Sequence, residues 1–141
     1  MWKASIYIWN ENPLLGTGVG DYGVDKNRLI EKLNLGNENL ERFGHSHSIY
    51  FDALAGMGIV GFFLLIFALI FLPAHYFYKQ WSRDEIVDNK FVVLSGITVI
   101  TAYAVFGLTE SWLTRNNMLT PYVIYMVAFL SANKSLLHSK S

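Results

Sequence analysis

Residues 53–72 read ALAGMGIVGFFLLIFALIFL, twenty residues without one charged side chain. At about 1.5 Å per residue, a helix of this length crosses the roughly 30 Å hydrocarbon layer of a bilayer. The uncharged run continues to Tyr78, so residues 53–78 are predicted to form a transmembrane helix. The stretch therefore indicates an all-α membrane protein.

The composition agrees with this class. The 141 residues are 52% hydrophobic and 16% charged, whereas soluble domains carry about 25% charged residues. Eleven basic residues balance eleven acidic ones, so the chain lacks the net positive charge that nucleic-acid binding needs, and no nucleic-acid partner is expected. Cysteine is absent, which excludes disulfides, thiolate metal sites and cysteine nucleophiles.

Two further uncharged runs predict two more spans. Residues 91–109 contain Gly96, Gly107 and several hydroxyl side chains, which let membrane helices pack closely. Residues 118–133 are shorter but still long enough to cross. The predicted fold is three transmembrane helices that follow a long helical and loop segment.

The lysines and arginines between the runs predict the orientation. They concentrate in the loop at residues 79–90 and in the tail at residues 134–141, and the positive-inside rule places such segments in the cytoplasm. Residues 1–52 and the turn at residues 110–117 are then expected on the periplasmic side.

The segment before the first span has its own pattern. Trp2, Ile6 and Trp9 recur at helical spacing until Pro13, which ends a helix. The following PLLGTGVGDYG is rich in glycine, but no strand precedes it and no GK[ST] follows it, so a structural turn is favoured over a phosphate-binding loop. Residues 25–42 predict one or two short surface helices.

Two histidines stand one residue apart in FGHSHSIYFD, residues 43–52. Ser46 or Ser48 is suited to cap the following helix, and Asp52 would complement its positive end. His47 would then lie at the amino end of a membrane helix, where free N–H groups attract anions and the dipole disfavours the imidazolium form. A neutral imidazole is what a general base needs.

The residue types alone leave alternatives open. His45 and His47 could lie at the membrane interface without chemistry, or bind a metal, although no third ligand follows at a telling spacing. Glu110, directly after the second run, could line an acceptor site or pair with Arg115. The glycines at positions 56, 58 and 61 could mark tight helix packing.

One motif is more specific. His47 and Ser48, nine residues, and then Gly58-Ile-Val-Gly61 resemble the signature of the O-antigen ligase family, a histidine followed by Asn, Ser or Gln, nine residues and G-x-x-G. Upstream, Trp2 and PLLGTGVG are similar to the family's W…P-x-x-G-x-G-x-G. The three predicted spans agree with the last three helices of that family.

The resemblance implies the carboxy-terminal part of a larger multi-spanning glycosyltransferase of the bacterial inner membrane. Such enzymes move a glycan from undecaprenyl diphosphate to lipid A-core in the ligases, or to a growing glycan in the polymerases, and neither a cofactor nor a metal is implied. We expect this part on its own to be inactive. The alternative from another class is a small non-enzymatic membrane subunit for assembly or transport.

The resemblance also assigns residues. His47 matches the essential histidine, with Ser48 as a motif position and His45 as a less constant companion. The family's loop arginine falls before the tryptophan that matches Trp2, so no residue here corresponds to it. Three residues are substrate-binding candidates by residue type. Arg28 and Arg42 could pair with diphosphate oxygens, and the carboxylate of Glu110 could line the acceptor site.

Overall fold

The computed structural model describes residues 2–20, 22–32, 46–83, 87–111 and 116–138, with only the backbone described at some margins. These residues form helices, turns and loops, and none of them lies in a strand. The all-α class predicted from the sequence is therefore confirmed for this part of the chain.

The described residues form six α-helices and one π-helical turn. In chain order these are α1 (Trp2–Glu11), α2 (Tyr22–Lys32), α3 (Ile49–Ile66), the π-helical turn (Phe67–Phe71), α4 (Leu72–Arg83), α5 (Val87–Phe106) and α6 (Asn116–His138). The helix predicted before Pro13 is α1, and α2 covers part of the predicted surface helices. The remainder of residues 25–42 lies outside the described residues.

Two of the described helices are long and apolar enough to cross a membrane. They are Ile49–Ser82, with a mean hydropathy of 2.7, and Asn89–Phe106, with a mean hydropathy of 1.5. Helix α6 covers the third predicted span but is not one of these two. The helices thus suggest a membrane protein, and the third span and the orientation stay predictions.

The first long helix is interrupted at Gly58, whose φ of 64° and ψ of −170° are not helical. The chain changes direction at this break. The rings of Tyr50 and Phe62, which lie on either side of it, are only 6.5 Å apart. A break would leave backbone N–H and C=O groups without helical partners. A loop from the preceding segment supplies those partners.

This loop, residues 13–20, is called the glycine loop below. Two of its amides donate to carbonyls of the half-helix before the break, and two of its carbonyls accept from amides of the half-helix after it. The four bonds are Thr17 N to Ala55 O at 3.1 Å, Gly18 N to Gly56 O at 3.0 Å, Ile59 N to Pro13 O at 2.9 Å and Val60 N to Leu14 O at 3.3 Å. The broken helix and the loop therefore complete each other's backbone hydrogen bonding.

The close approach explains the glycines on both sides. A Cβ on Gly16 would lie 2.4 Å from the carbonyl carbon of Gly56, and a Cβ on Gly58 would lie 2.4 Å from the carbonyl of Leu14. The predicted structural turn is confirmed. The helix-packing interpretation of Gly56 and Gly58 is wrong, because these glycines admit the loop rather than a neighbouring helix.

The long helices pack around one apolar cluster. Its buried residues are Ile49, Phe77, Val93, Ile100, Tyr122 and Met126. Gly96 lies directly against the ring of Phe77, only 2.6 Å from where a Cβ would stand, so the close packing predicted for this small residue is confirmed. The π-helical turn frees the carbonyl of Leu69, which accepts a hydrogen bond from the hydroxyl of Tyr122.

A buried polar chain also joins the three helices at the end away from the break. The hydroxyl of Tyr76 donates to Oδ1 of Asn133 at 2.8 Å, and Nδ2 of Asn133 donates to Oδ1 of Asn89 at 2.5 Å. Both asparagines are fully buried. Because buried amides are costly without partners, this chain favours one arrangement of α4, α5 and α6.

Helix α1 lies against the start of α3. It buries Ala4, Ser5 and Ile8, while Trp2 is half exposed and stacks on Phe51 with ring centroids 5.0 Å apart. The buried face is therefore not the Trp2–Ile6–Trp9 stripe that suggested the helix. Ala4 and Ser5 let the two helices approach around the buried Ile8, while Trp2 and Ile6 stay near the surface.

Candidate functional site

The end of α5 is bound to the start of α3, and this contact assembles the site. The carbonyl of Gly107 accepts hydrogen bonds from the amide of Ile49 at 3.0 Å and from the hydroxyl of Ser48 at 3.1 Å. Glu110 follows in the same turn. Its Oε1 consequently lies 3.9 Å from Nδ1 of His47, although the two residues are far apart in sequence.

His47 has a left-handed backbone, with a φ of 57°. This conformation is uncommon for residues other than glycine, although histidine adopts it more often than most side chains do, and holding a side chain there costs about 1–3 kcal/mol. Two neighbours impose it: the amide of Ser46 donates to Oδ1 of Asp52 at 2.8 Å, and the hydroxyl of Ser46 donates to the carbonyl of Ser48 at 2.8 Å. A strained residue held by buried neighbours is typical of functional sites.

The helix begins as predicted, but its first serine has a different role. Ser48 occupies the N-cap position of α3, and Asp52 lies in the first turn. The side chain of Ser48 does not cap the helix amides, because its hydroxyl is committed to Gly107. Asp52 likewise accepts from the loop before the helix, so both side chains hold His47 and α5 in place.

Ser5 of α1 and Tyr22 of α2 border the site near Asp52. Burial raises the pKa of the Tyr22 hydroxyl above its usual range, a hydrogen bond from Ser5 lowers it in part, and the nearby carboxylate of Asp52 raises it. Tyr22 therefore stays neutral. The Oδ2 atom of Asp52 is buried and has no hydrogen-bond partner among the described residues.

The two central side chains differ in exposure. His47 is 38% exposed, whereas Glu110 is 17% exposed. The 3.9 Å separation is longer than a hydrogen bond, but a proton taken up by the ring would create a positive charge that faces the carboxylate. The arrangement can therefore receive a proton from a bound molecule and stabilise the resulting charge.

Residues 1–66 match a protein-family model described as O-antigen ligase. This match confirms the family resemblance. The matched residues include α1, the glycine loop, α2, His47 and all of α3. No curated protein and no solved structure matches the chain. The match to the O-antigen ligase family and the two apolar helices together suggest a membrane protein.

The geometry explains why the O-antigen ligase motif joins a histidine to two distant glycines. Gly58 is the break that admits the glycine loop, and Gly61 lies where a Cβ would meet the side chain of Met57 at 2.3 Å. His47 directly precedes Ser48, the N-cap of the half-helix that ends at the break. The motif therefore covers this half-helix, from the residue before its cap to the first turn beyond the break.

Not every predicted residue joins the site. Arg42, His45 and Arg115 lie outside the described residues. Arg28 is exposed on α2 and pairs with the carboxylate of Asp25 at 3.6 Å. Among the described residues, no group of three His, Asp or Glu side chains is arranged to hold a metal ion.

The sequence pattern does not reveal two of the contacts that build the site. Gly107 is predicted only as a small packing residue, yet its carbonyl anchors the start of α3. Asp52 lies in the first turn as predicted, but it also accepts from the amide of Ser46, a candidate cap, and so holds the backbone of His47. The six-residue separation of Ser46 and Asp52 matches no standard capping pattern, so only the folded backbone identifies their contact.

Proposed function

We propose that this chain is the three-span carboxy-terminal part of a larger, multi-spanning O-antigen ligase-type glycosyltransferase in the bacterial inner membrane. The complete enzyme transfers a glycan from undecaprenyl diphosphate to lipid A-core or a related acceptor. One observation supports the proposal. His47 lies within the residues that match the family model, has a strained backbone and an accessible side chain, and stands beside Glu110 at the start of an apolar helix.

His47 is the general base in this proposal. Its Nε2 takes the proton of an acceptor sugar hydroxyl, and the hydroxyl oxygen forms a bond to the anomeric carbon of the carrier-linked glycan. The bond between that carbon and the diphosphate oxygen breaks on the opposite face. Undecaprenyl diphosphate leaves with the electron pair, so the anomeric configuration inverts.

The leaving diphosphate needs positive charge near it. Arginine suits this role because its planar guanidinium pairs with two phosphate oxygens at once. We assign the role to arginines of the complete site, with Arg42 the candidate closest in sequence to His47. His45 completes the substrate-facing set by resemblance. Ser48, predicted to bind substrate as well, is buried with its hydroxyl bound to the carbonyl of Gly107, so it holds the start of α3 instead.

Glu110 stabilises the charged ring after proton transfer. Replacing Glu110 by glutamine, which keeps the shape and removes the charge, is expected to lower the transfer rate roughly 10- to 100-fold, part of the 10²–10⁴ that general-base catalysis contributes. Glu110→Asp should retain more activity, because it keeps the carboxylate. Transfer assays in membranes measure both variants.

The matched control for Glu110 is Glu11, which pairs with Lys32 at 3.1 Å on the surface. Glu11→Gln should leave the transfer rate unchanged, since an exposed ion pair contributes little. Wild-type rates in Glu110→Gln, or equal losses in the aspartate and glutamine variants, would refute a role for the carboxylate charge.

Asp52 positions the histidine. Asp52→Ala removes the acceptor for the amide of Ser46, and losing a hydrogen bond to a charged group costs about 1.5–3 kcal/mol, so transfer should fall roughly tenfold or more. Asp52→Asn keeps an oxygen at the same place and should restore most of the rate. If asparagine is as impaired as alanine, the hydrogen bond is not what positions His47.

Deletion of the gene tests the function itself. Cells that lack a ligase should carry uncapped lipid A-core and accumulate carrier-linked glycan polymer, and the wild-type gene should restore capping. Cells that lack a polymerase should instead cap lipid A-core with single repeat units. Unchanged envelope glycans in the deletion strain would exclude both enzymes and favour the non-enzymatic subunit.

A further inference from the structure

The glycine loop exposes large apolar side chains. Leu14 is 64% exposed and Leu15 is 70% exposed, and Val19 is exposed beside them. No charged residue occurs in residues 12–20. Adjacent exposed apolar side chains without charge are typical of surfaces that contact a membrane or a protein.

This apolar surface continues onto the first long helix. The peptide between Leu14 and Leu15 lies directly on Gly58, and the carbonyl of Leu14 accepts from the amide of Val60. Val60 is itself exposed, and the exposed Phe63 and Leu64 follow on the same helix. The loop and the outer face of the helix therefore form one surface.

The length of the helix places the break at the edge of the hydrocarbon. Residues 59–78 comprise twenty residues without a charged side chain, which at about 1.5 Å each cover the roughly 30 Å hydrocarbon layer. Gly58 immediately precedes them. The glycine loop, bound to this break, consequently lies at the depth where the acyl chains begin.

The loop backbone is suited to that depth. Non-helical backbone in a bilayer must have its polar groups satisfied. In the glycine loop, the carbonyls of Pro13 and Leu14 and the amides of Thr17 and Gly18 pair with the helix, and the amide of Gly16 donates to Asn12 at 2.9 Å. These bonds satisfy the loop backbone groups that lie against the helix, and the side chains of Leu14 and Leu15 are exposed.

We propose that the glycine loop is seated in the membrane surface, with Leu14 and Leu15 in contact with lipid acyl chains. The occupant of this apolar surface is the bilayer, because the surface continues the uncharged outer face of a bilayer-spanning helix. The loop thereby fixes the depth of the break at Gly58. This proposal does not depend on the glycosyl transfer or on the orientation of the spans.

Fluorescent labelling tests the contact. The chain has no cysteine, so Leu15→Cys, Phe63→Cys and Asn27→Cys each give one label site. Asn27 is exposed on α2 and is the aqueous control, and Phe63 is the lipid-facing reference. In liposomes whose acyl chains carry bromine near the headgroup, the label at position 15 should lose emission to an extent comparable with position 63, and that at position 27 should not.

Two results would overturn the proposal. A label at position 15 that iodide quenches as strongly as it quenches position 27, with no loss to brominated lipid, would place the loop in water. A label shielded from both quenchers would place protein over the surface instead of lipid. Leu14→Cys repeats the measurement at a second exposed position, so that one poorly tolerated label does not decide the result.

Discussion

Replacement of His47 by alanine is expected to lower glycan transfer by about 10²–10⁴-fold, the contribution typical of a general base. The loss should exceed that of any other single substitution in the site, because Glu110 and Asp52 act only through this ring. The fold should be retained, since alanine removes a partly exposed side chain and leaves the hydrogen bonds of Ser46 and Ser48 in place. Glycan-capped lipid A-core on gels measures the effect.

His75 provides the matched control. It is an exposed histidine on α4, stacked on Phe71 with ring centroids 5.9 Å apart. His75→Ala should leave capping unchanged. Normal capping in His47→Ala, with normal amounts of protein in the membrane, would remove His47 from the mechanism and with it the proposed chemistry.

Gly58→Ala should produce the largest loss of stability. The backbone of Gly58 adopts angles that essentially only glycine tolerates, at a cost of about 1–3 kcal/mol for another residue. The new Cβ would also meet the carbonyl of Leu14 at 2.4 Å, and such overpacking costs a further amount of about 1–3 kcal/mol. We expect a total loss of about 2–6 kcal/mol in the free energy of unfolding, measured by denaturant titration in detergent micelles.

Substitutions at two other glycines distinguish the backbone cost of Gly58→Ala from its packing cost. Gly20 has a φ of 93° but open space around it, so Gly20→Ala should show only the backbone cost, about 1–2 kcal/mol. Gly61 has no left-handed backbone, but its Cβ would lie 2.3 Å from the Cβ of Met57, so Gly61→Ala should show only the overpacking cost, about 1–3 kcal/mol, and less than Gly58→Ala. Equal losses at all three positions would contradict the packing of the loop against the break.

Gly58→Ala should also disturb the geometry of the candidate site. The half-helix before the break begins at Ile49, two residues after His47, and its last carbonyls are bound by the glycine loop. Forcing the loop away from Gly58 would shift that half-helix, and catalysis is sensitive to displacements of about 1 Å. Gly58→Ala should therefore lower transfer more than it lowers the amount of folded protein.

Much of the architecture was predictable because it depends on local patterns. An uncharged run of the right length predicts a spanning helix whatever surrounds it, and Pro13 ends α1 through local sterics. His47 was identified through a motif of fixed spacing. The third predicted span is not one of the two helices that are long and apolar enough to cross a membrane, because Asn133 and Lys134 interrupt its apolar character near the end of α6.

The partners of His47 were less predictable. Glu110 was recognised as a candidate from its place after an apolar run, but its neighbour was expected to be a substrate or Arg115. The contact with His47 depends on two hydrogen bonds to Gly107, a backbone carbonyl that carries no signal in the sequence. Contacts of this kind arise from how helices pack and not from residue type.

The sequence by itself determined the helical class, two apolar helices of membrane-crossing length and the histidine at the head of the first, because charge, apolar length and motif spacing are local properties of the chain. Only the tertiary structure decided that this helix is broken at Gly58, that the glycine loop completes it, and that Glu110 faces His47. Those features depend on backbone groups, which are the same in every residue and acquire partners only when distant segments meet.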